Sequence, residues 1–438
     1  MELNKDFPSV VKYMGSKTDV LDLIEKGFNC LGKKYDYVCD LFAGSATLSA
    51  ALRGKVNVIS NDVQMYSEVF TNTYLNNYCW SKYPEIKEVV AMATERYENF
   101  NNFFHQFKGH FSYDRDFSLQ ELNEMENEQR ALMESDIWKD FDNYYLFVQN
   151  YSGTYWSYDQ CIWIDSYRCI IDQYKEDIPY YNLLLTCLIY AMAYNSQSTG
   201  HYAQYRVPES ESSKDDILIY RRKNITDFFE RKYADLYEYL KSKNPYTFQT
   251  YAEKDIDCLN SIPEGTLVYA DPPYCFVHYS RFYHILETLV RYDYPELKYK
   301  GRYRTDRYQS NYCIKTEVAD AFSEMFYRVK MKKADLMLSY TNSETNTISF
   351  EELLKVFCGA FNPGFCDDGN LEAALKKCDE FFQAPDLEMV SIMNTQTIKE
   401  LPYSIMMIKK PYNHSRMGRK NTKTIPVTEV VILAKHED

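Results

Sequence analysis

Short apolar runs that end in small or acidic residues mark the predicted strands of this chain. Residues 37–42 form the first run, which leads through a Gly-containing turn into a helical-looking stretch that begins at Thr47. A second run, residues 56–60, ends at Asn61-Asp62. Later runs predict strands at 266–270, 336–340, 404–408 and 429–433. The strand–helix–strand opening predicts a doubly wound, Rossmann-like α/β sheet with a ligand at the carboxyl ends of its strands.

A different pattern occupies the middle of the chain. From Tyr74 to Gln249 apolar residues recur at helical spacing, for example in 119–138 and 180–194. This block interrupts the α/β pattern and predicts a large helical insertion, and residues 346–401 predict a smaller one. We therefore divide the α/β domain into residues 1–75, 249–345 and 401–438, interrupted by helical insertions at 76–248 and 346–400.

Composition narrows the class of protein. The 438 residues are 45% hydrophobic and 26% charged, the balance of a globular chain rather than a disordered one. No run of 18 uncharged apolar residues is present, and the first 20 residues are too charged for a leader peptide, so we expect no membrane association. The 12 Cys and 7 His are dispersed without a Cys-x-x-Cys pair. We therefore expect a cytoplasmic protein with reduced thiols and no metal site.

The distribution of charge says more than the net value of −13. Residues 84–180 hold 19 acidic and 8 basic side chains, whereas residues 298–333 hold 10 basic and 4 acidic ones. Residues 409–423 hold six basic side chains and no acid. The two basic segments can bind a polyanion locally on an otherwise acidic protein. Taken singly, each is equally consistent with a solvated loop.

The strongest chemical signal is Asp271-Pro272-Pro273-Tyr274, which directly follows the apolar run 266–270. Two prolines remove two backbone donors and leave carbonyl acceptors. A carboxylate beside a proline carbonyl suits the two hydrogens of an –NH₂ group, and the tyrosine offers a face for an aromatic ring. The motif predicts a site for the exocyclic amine of a base, in preference to a plain turn with a solvated Asp.

Two weaker motifs precede it. The turn after the first strand contains Gly44, which lets a ligand approach the backbone, but the three-glycine dinucleotide fingerprint is absent. An NAD-dependent oxidoreductase is therefore not indicated. Asp62, at the end of the second strand, is placed to accept hydrogen bonds from ribose hydroxyls. Upstream, Gly15 permits a tight turn before Lys17, which can pair with a carboxylate.

In this order the motifs resemble the Dam-like (D12 class) family of DNA adenine-N6 methyltransferases. The family pattern has an aromatic–x–Gly–x–Lys segment, Phe-x-Gly, a strand-end Asp, a long recognition insertion and Asp-Pro-Pro-Tyr. The matching elements here are Tyr13 to Lys17, Phe42-Ala43-Gly44, Asn61-Asp62 and Asp271 to Tyr274. The resemblance covers about 75 N-terminal residues, about 95 around the catalytic strand and the last 35, and leaves the long helical block uncovered.

The resemblance implies S-adenosylmethionine as the cofactor and a methyltransferase sheet as the fold. It also implies a role for each matching position. Tyr13 and Lys17 would hold the methionine part, and Phe42 and Gly44 would border it. Asp62 would bind the ribose, and Asp255 would bind the adenine, with Asp257 as the alternative. Asp271 would lie beside the methyl donor.

The resemblance further implies double-stranded DNA as the substrate, with a cognate restriction endonuclease as a candidate partner. The target adenine must leave the base stack, and Asp271 and Pro272 would then hold N6 while Tyr274 stacks on the ring. The predicted phosphate-contacting residues are Arg302, Arg304, Arg307, Arg416, Arg419 and Lys420. Base recognition is expected in the long insertion, and the residues expected to supply it are Arg206, Arg221, Arg222 and Lys223.

Two alternatives stay open at this point. The same amine chemistry would serve cytosine N4 or an RNA adenine, although Asp rather than Ser before Pro-Pro-Tyr favours adenine N6 by resemblance. A DNA-binding module with a degenerate active site is the other, and the intact Asp271, Asp62 and Lys17 argue against it.

Overall fold

The computed structural model describes residues 1–11, 13, 17–198, 201–275, 279–343, 345–364, 369–384, 386–393, 402–413 and 426–437. Within these ranges no helix combines the length and the apolar character needed to cross a membrane.

One eight-stranded sheet organises the protein, in the order β3-β2-β1-β4-β7-β10-β9-β8. The strands are β1 Tyr37–Asp40, β2 Asn57–Asn61, β3 Phe248–Tyr251, β4 Leu267–Ala270, β7 Asp335–Thr341, β8 Met389–Met393, β9 Tyr403–Asn413 and β10 Pro426–His436. A separate hairpin contains β5 Leu297–Lys298 and β6 Tyr303–Arg304. The first five strands of the sheet order are parallel, and β10, β9 and β8 pair antiparallel. The predicted doubly wound α/β fold is confirmed.

Helices cover both faces of this sheet. They are α1 Leu21–Leu31, α2 Thr47–Ala51, α3 Met65–Leu75, α4 Ile86–Phe103, α5 Leu119–Ala131, α6 Leu146–Tyr151, α7 Tyr158–Ile171, α8 Ile178–Asn195, α9 Glu211–Arg221, α10 Ile225–Leu240, α11 Asp255–Ser261, α12 Tyr279–Phe282, α13 His284–Arg291, α14 Val318–Met331, α15 Phe350–Phe361 and α16 Asn370–Gln383. Alternate strand residues serve the two faces, as the period of two requires. Val38 and Leu267 join one apolar core with α1, α3, α8 and α13, whereas Cys39 and Val268 join the other with α11, α14, α15 and α16.

The helical block, α4 to α10, shares the first of these cores with the sheet, because α3 packs on α8. Its sequence explains where its helices begin: Ser118 and Ser157 each form a capping box at the start of α5 and α7. The block has an aromatic interior that includes Trp138 and Trp156, both fully buried. The many aromatic residues of this block therefore form a core that continues into the main sheet.

Two strands of the main sheet were absent from the sequence prediction, as was the hairpin formed by β5 and β6. Residues 346–400 do contain the helices α15 and α16, but they also contain β8, which forms an edge of the main sheet. The prediction of a wholly helical segment is therefore wrong at Met389–Met393. The other edge strand, β3, lies at the end of the predicted helical block and carries no fully buried residue. β3 lacks the apolar run that identifies a central strand, whereas β8 is a short apolar run beside two helices.

Candidate active site

A cleft opens at the carboxyl ends of β1, β2 and β4 and encloses about 990 Å³, part of it open to solvent. Between β1 and β4 the strand order reverses, since the chain runs outward from β1 through β2 to β3 before it returns to β4. Ligands of open α/β sheets bind at such a switch point. Most of the residues predicted for the site line this cleft: Tyr13, Phe42, Gly44, Asp62, Asp255 and Asp271 to Tyr274.

An ion-pair network lies at the end of β4. The ammonium of Lys17 is 3.0 Å from Asp271 Oδ1 and 2.9 Å from Glu429 Oε1. Glu429, on β10, also accepts a hydrogen bond of 2.6 Å from the Ser339 hydroxyl on β7. The side chains of Lys17 and Glu429 are 11% and 4% exposed, so water screens the network little.

Burial and charge act against each other at Asp271. Burial raises the pKa of its carboxyl group, the Lys17 ammonium lowers it and the Glu429 carboxylate raises it, and the result is a pKa of about 6. The same two carboxylates hold the pKa of Lys17 well above its ordinary value although burial opposes this. Lys17 is therefore a cation, and Asp271 is an ionised acceptor at neutral pH.

The rest of the Asp-Pro-Pro-Tyr segment is fixed from the neighbouring strand. The backbone N–H of Thr347, in the loop after β7, donates to the Tyr274 carbonyl at 2.8 Å. The Tyr274 ring, 9% exposed, packs edge-on against Tyr340 of β7 at 5.7 Å. Among the described residues none donates to the Pro272 carbonyl, so this oxygen stays available as an acceptor.

The turn after β1 depends on Gly44. Its φ of +53° is left-handed, and a Cβ at this position would lie 3.0 Å from the Tyr13 ring. Glycine is required here for both conformation and space. The Tyr13 ring stacks on Tyr283 with centroids 4.3 Å apart, and its hydroxyl is 3.2 Å from that of Tyr66. Aromatic packing thus fixes one wall of the cleft.

Asp62 accepts backbone hydrogen bonds on both carboxylate oxygens. Gly44 N–H donates to Oδ2 at 2.9 Å, and Gln64 N–H donates to Oδ1 at 3.0 Å. Burial raises the pKa of the carboxyl group, and these donors oppose the rise. The carboxylate is thereby oriented at the end of β2, with lone pairs left for hydroxyl groups of a ligand.

A second carboxylate lies across the cleft at the start of α11. Asp255 Oδ2 accepts a hydrogen bond of 2.6 Å from the Tyr312 hydroxyl, and the Tyr312 ring packs edge-on against Phe42 at 5.5 Å. Asp257 is exposed and does not line the cleft, so the geometry favours Asp255. Sequence reasoning missed Tyr312, Glu429 and Ser339, since a single Tyr, Glu or Ser in a strand or loop carries no motif.

The predicted phosphate contacts divide into three groups. Arg304 is 2% exposed and is held by Asp293 and Asp306, so its guanidinium has no free face for a phosphate. We withdraw Arg304 from the predicted set for this reason. Arg302 lies in the β5–β6 turn and reaches Asn150 at 3.3 Å, and Arg307 lies near the cleft. The predicted loop residues Arg416, Arg419 and Lys420 lie outside the described residues.

The basic residues expected to contact bases form hydrogen bonds or ion pairs within the helical block. Arg221 is fully buried and forms a bidentate ion pair with Glu126 at 2.7–2.8 Å. Arg206 pairs with Asp216, Arg222 donates to backbone carbonyls and Lys223 donates to the Tyr194 carbonyl. Arg221 is therefore withdrawn as a base contact, because its guanidinium is buried and paired. Arg206, Arg222 and Lys223 keep exposed surface beside these contacts, and their role in base recognition stays a prediction.

Comparison with known proteins identifies a family over most of the chain. The model of the D12 class N6 adenine-specific DNA methyltransferase family matches residues 13–351.

Relatives of known name cover most of the chain at low identity. Modification methylase LlaI of Lactococcus lactis subsp. lactis is 26% identical over 78% of this chain and 48% of its own length. Type II methyltransferase M.FokI of Planomicrobium okeanokoites is 24% identical over 76% of this chain and 44% of its own length. Type II methyltransferase M.NlaIII of Neisseria lactamica is 24% identical over 76% of this chain and 84% of its own length. The chain thus spans about half the length of the first two.

Proposed function

The chain belongs to the D12 class of N6 adenine-specific DNA methyltransferases, and we propose that it transfers a methyl group from S-adenosylmethionine to N6 of an adenine extruded from duplex DNA. The observation that carries this proposal is the meeting of two sets of groups in one cleft. Asp271, Pro272 and Tyr274 form an amine-binding half, and Asp62 and Asp255 lie in the other half.

The second half fits S-adenosylmethionine. Asp62 is oriented at a strand end where acidic residues accept from ribose hydroxyls, and Asp255 keeps one oxygen beyond its bond with Tyr312 for an amino group of the adenine. Gly44, Tyr13 and Phe42 line the same part of the cleft, where the methionine part would lie. When bound, the cofactor supplies a methyl group on a positively charged sulfur.

The residues of the amine-binding half act on the acceptor nitrogen. Adenine N6 is a poor nucleophile because its lone pair is delocalised into the ring. The Asp271 carboxylate and the Pro272 carbonyl would accept its two hydrogens, which favours tetrahedral nitrogen and stabilises the positive charge that develops on it. Tyr274 would stack on the extruded ring and offset part of the few kcal/mol that extrusion costs.

Identification of the methylated nucleoside in DNA tests this proposal. Plasmid duplex DNA is incubated with the purified chain and S-adenosylmethionine, then digested to nucleosides and analysed by mass spectrometry. We expect N6-methyladenine in DNA and none in an RNA of the same sequence. N4-methylcytosine, methylated RNA or no methylated base would each contradict the proposal.

Two arginines beside the cleft are the strongest candidates for phosphate contacts. Arg281 and Arg307 lie over the same Tyr303 ring, with guanidinium carbons 5.8 and 5.5 Å from its centroid. Within the described part of the chain neither makes an ion pair, and Arg307 Nη1 is buried without a partner. Their neighbours Ser280 and Tyr308 line the cleft. We therefore place the DNA backbone across Tyr303, with Arg302 at its edge.

Matched variants distinguish these arginines from their neutralised neighbours. Replacing Arg281 or Arg307 by Gln should each reduce the slope of log K against log salt by about one. Arg291→Gln is the control, because Arg291 already pairs with Asp293 at 2.7 Å. Equal slopes in all three variants would place the phosphates elsewhere, with the segment that holds Arg416, Arg419 and Lys420 as the next candidate.

A cognate restriction endonuclease remains the candidate partner, because two relatives are named Type II methyltransferases and one a modification methylase. Mapping N6-methyladenine in cells that express the chain would give the methylated sequence. An endonuclease from the same source that cleaves this sequence only when unmethylated would support the partnership, and an absence of any such cleavage would make the chain an orphan methylase.

A further inference from the structure

The network around Lys17 contains one more carboxylate than the amine-binding half requires. Lys17 lies between Asp271 and Glu429, at 3.0 and 2.9 Å, and these three side chains come from three separate parts of the chain. Glu429 is 3% exposed and does not line the cleft. Among the described residues its hydrogen-bonding partners are Lys17 and Ser339, and its charge acts on Asp271 both directly and through the shared Lys17 ammonium.

The charges of this network do not cancel. Two carboxylates and one ammonium leave a net charge of −1, and without Glu429 the Lys17–Asp271 pair would be neutral. Of the other polar groups near the network, the hydroxyls of Tyr269, Tyr274 and Ser339 carry no charge at neutral pH. The buried carboxyl group of Asp40 on β1 interacts electrostatically with Asp271, and burial raises the pKa of Asp40 to about 7. The cross-strand neighbour of Glu429 on β9 is Lys410, whose ammonium turns away to the Asp19 carbonyl at 2.9 Å. Glu429 is thus balanced by Lys17 and not by Lys410.

We propose that Glu429 is a positioning residue for methyl transfer. Glu429 binds Lys17 and offsets part of the ammonium charge, so that the Asp271 carboxylate keeps a negative potential toward the target amine. This inference rests on the proposed function. Lys17 on its own would hold Asp271 in place and at the same time weaken it as an acceptor. With Glu429 present, Lys17 orients the carboxylate and the site still favours the positive charge that develops on N6.

The titration of Asp271 reports this effect directly. Glu429 raises the pKa of Asp271, and Lys17 lowers it. Glu429→Gln keeps the length and the acceptor oxygen but removes the charge. The pKa of Asp271 should then fall, and the acid limb of the pH profile of kcat/KM should move to lower pH by about one pH unit. At pH 8 the rate should decrease about ten- to a hundredfold, because Lys17 then neutralises Asp271.

The control is Glu437→Gln. Glu437 follows the same strand and likewise accepts a 2.6 Å hydrogen bond from a serine, Ser404. It is eight residues from Glu429, about 26 Å along an extended strand. For both variants we would measure thermal unfolding and kcat/KM between pH 5 and 9. The ¹³C carboxylate resonance of Asp271 would be titrated without cofactor or DNA, and its loss in Asp271→Asn would assign it. Glu429→Met, of similar volume, serves as the second variant if Glu429→Gln does not fold.

The outcomes separate the inference from the proposed function. A lower titration midpoint of Asp271 in Glu429→Gln but not in Glu437→Gln, with the matching movement of the acid limb, supports the inference. An unchanged midpoint overturns it, even if the wild type methylates adenine. If the wild type methylates no adenine, the proposed function fails, and the carboxylate resonance alone still decides whether Glu429 controls the charge of Asp271.

Discussion

Removing the carboxylate of Asp271 should abolish useful methyl transfer while it leaves the fold intact. Asp271 directly follows β4, and its side chain contacts Lys17, which retains Glu429 when Asp271 is replaced by Ala. The Pro272 carbonyl remains as the second acceptor. Asp271→Ala therefore deletes one of two acceptors and leaves the rest of the cleft in place.

The expected loss of rate follows from the number of acceptors. One preorganised hydrogen-bonding group at a reacting centre contributes about 3–4 kcal/mol to transition-state stabilisation, or about 10²–10³ in kcat. Single-turnover methyl transfer should therefore slow by at least two orders of magnitude.

The stability of the folded protein should increase in Asp271→Ala, although the rate decreases. In the folded protein the pKa of Asp271 is raised from 3.8 to about 6, so the fold favours the protonated carboxyl group. The stability associated with that proton is fully present below pH 3.8 and is lost as the pH rises through about 6. Above this pH the ionised carboxylate costs about 3 kcal/mol. Asp271→Ala should thus raise the unfolding midpoint at pH 8 and have less effect at pH 4.

Two measurements test this reasoning. Transfer of tritiated methyl groups to duplex DNA gives the rate, and thermal unfolding at pH 4 and pH 8 gives the stability. DNA affinity at constant salt serves as the control that the variant still binds. A variant that methylates DNA at near the wild-type rate would show that Asp271 is only a strand-end residue. A lower midpoint at pH 8 would show that Asp271 stabilises the fold.

Three further changes follow from the same geometry. Tyr274→Phe should retain most of the activity and Tyr274→Ala little of it, because stacking needs the ring and not the hydroxyl. The fluorescence of 2-aminopurine at the target position should show a loss of base capture in Tyr274→Ala alone. Tyr312→Phe removes the donor to Asp255 and should weaken S-adenosylmethionine binding about fivefold to tenfold in calorimetry, in line with one hydrogen bond of about 1–1.5 kcal/mol. Glu126→Ala leaves the buried Arg221 without its counter-charge and should destabilise the protein by about 3–5 kcal/mol in urea unfolding, whereas a change below 1 kcal/mol would mean that water reaches Arg221.

The sequence was informative where burial or backbone geometry restricts the choice of residue. Central strands such as β4 and β10 are buried on both faces and appear as apolar runs, and all six predicted strands are present. The edge strand β3 has one open side and contains polar residues, so the apolar pattern is lost there. The edge strand β8 is a short apolar run with one polar residue, Ser391, and it was assigned to a segment that is otherwise helical. The motifs around Gly44 and Asp271 were identified for a similar reason, and the resemblance drawn from them is confirmed by the family match.

Charge alone was a poor guide to contacts. Arg304 belongs to a basic segment by composition, yet Asp293 and Asp306 lie within hydrogen-bonding distance of it in the fold. Arg221 similarly meets Glu126, which is 95 residues away in the sequence. Asp306 is only two residues from Arg304, but composition does not show that the two side chains pair, and local sequence contains no information about a partner as distant as Glu126. Glu429 was missed for the same reason, because its importance comes from a contact with a residue near the start of the sequence.

The Lys17–Glu429 contact joins residues 412 positions apart. A ribosome that adds about 5–20 residues per second needs roughly 20–80 s to make the chain between them. The β1–β4 pair closes much earlier, since Cys39 pairs with Val268. A nascent chain can therefore build most of the cleft well before Asp271 acquires its complete electrostatic environment. Translation time thus sets a minimum delay between the synthesis of Lys17 and the start of the proposed methyl transfer.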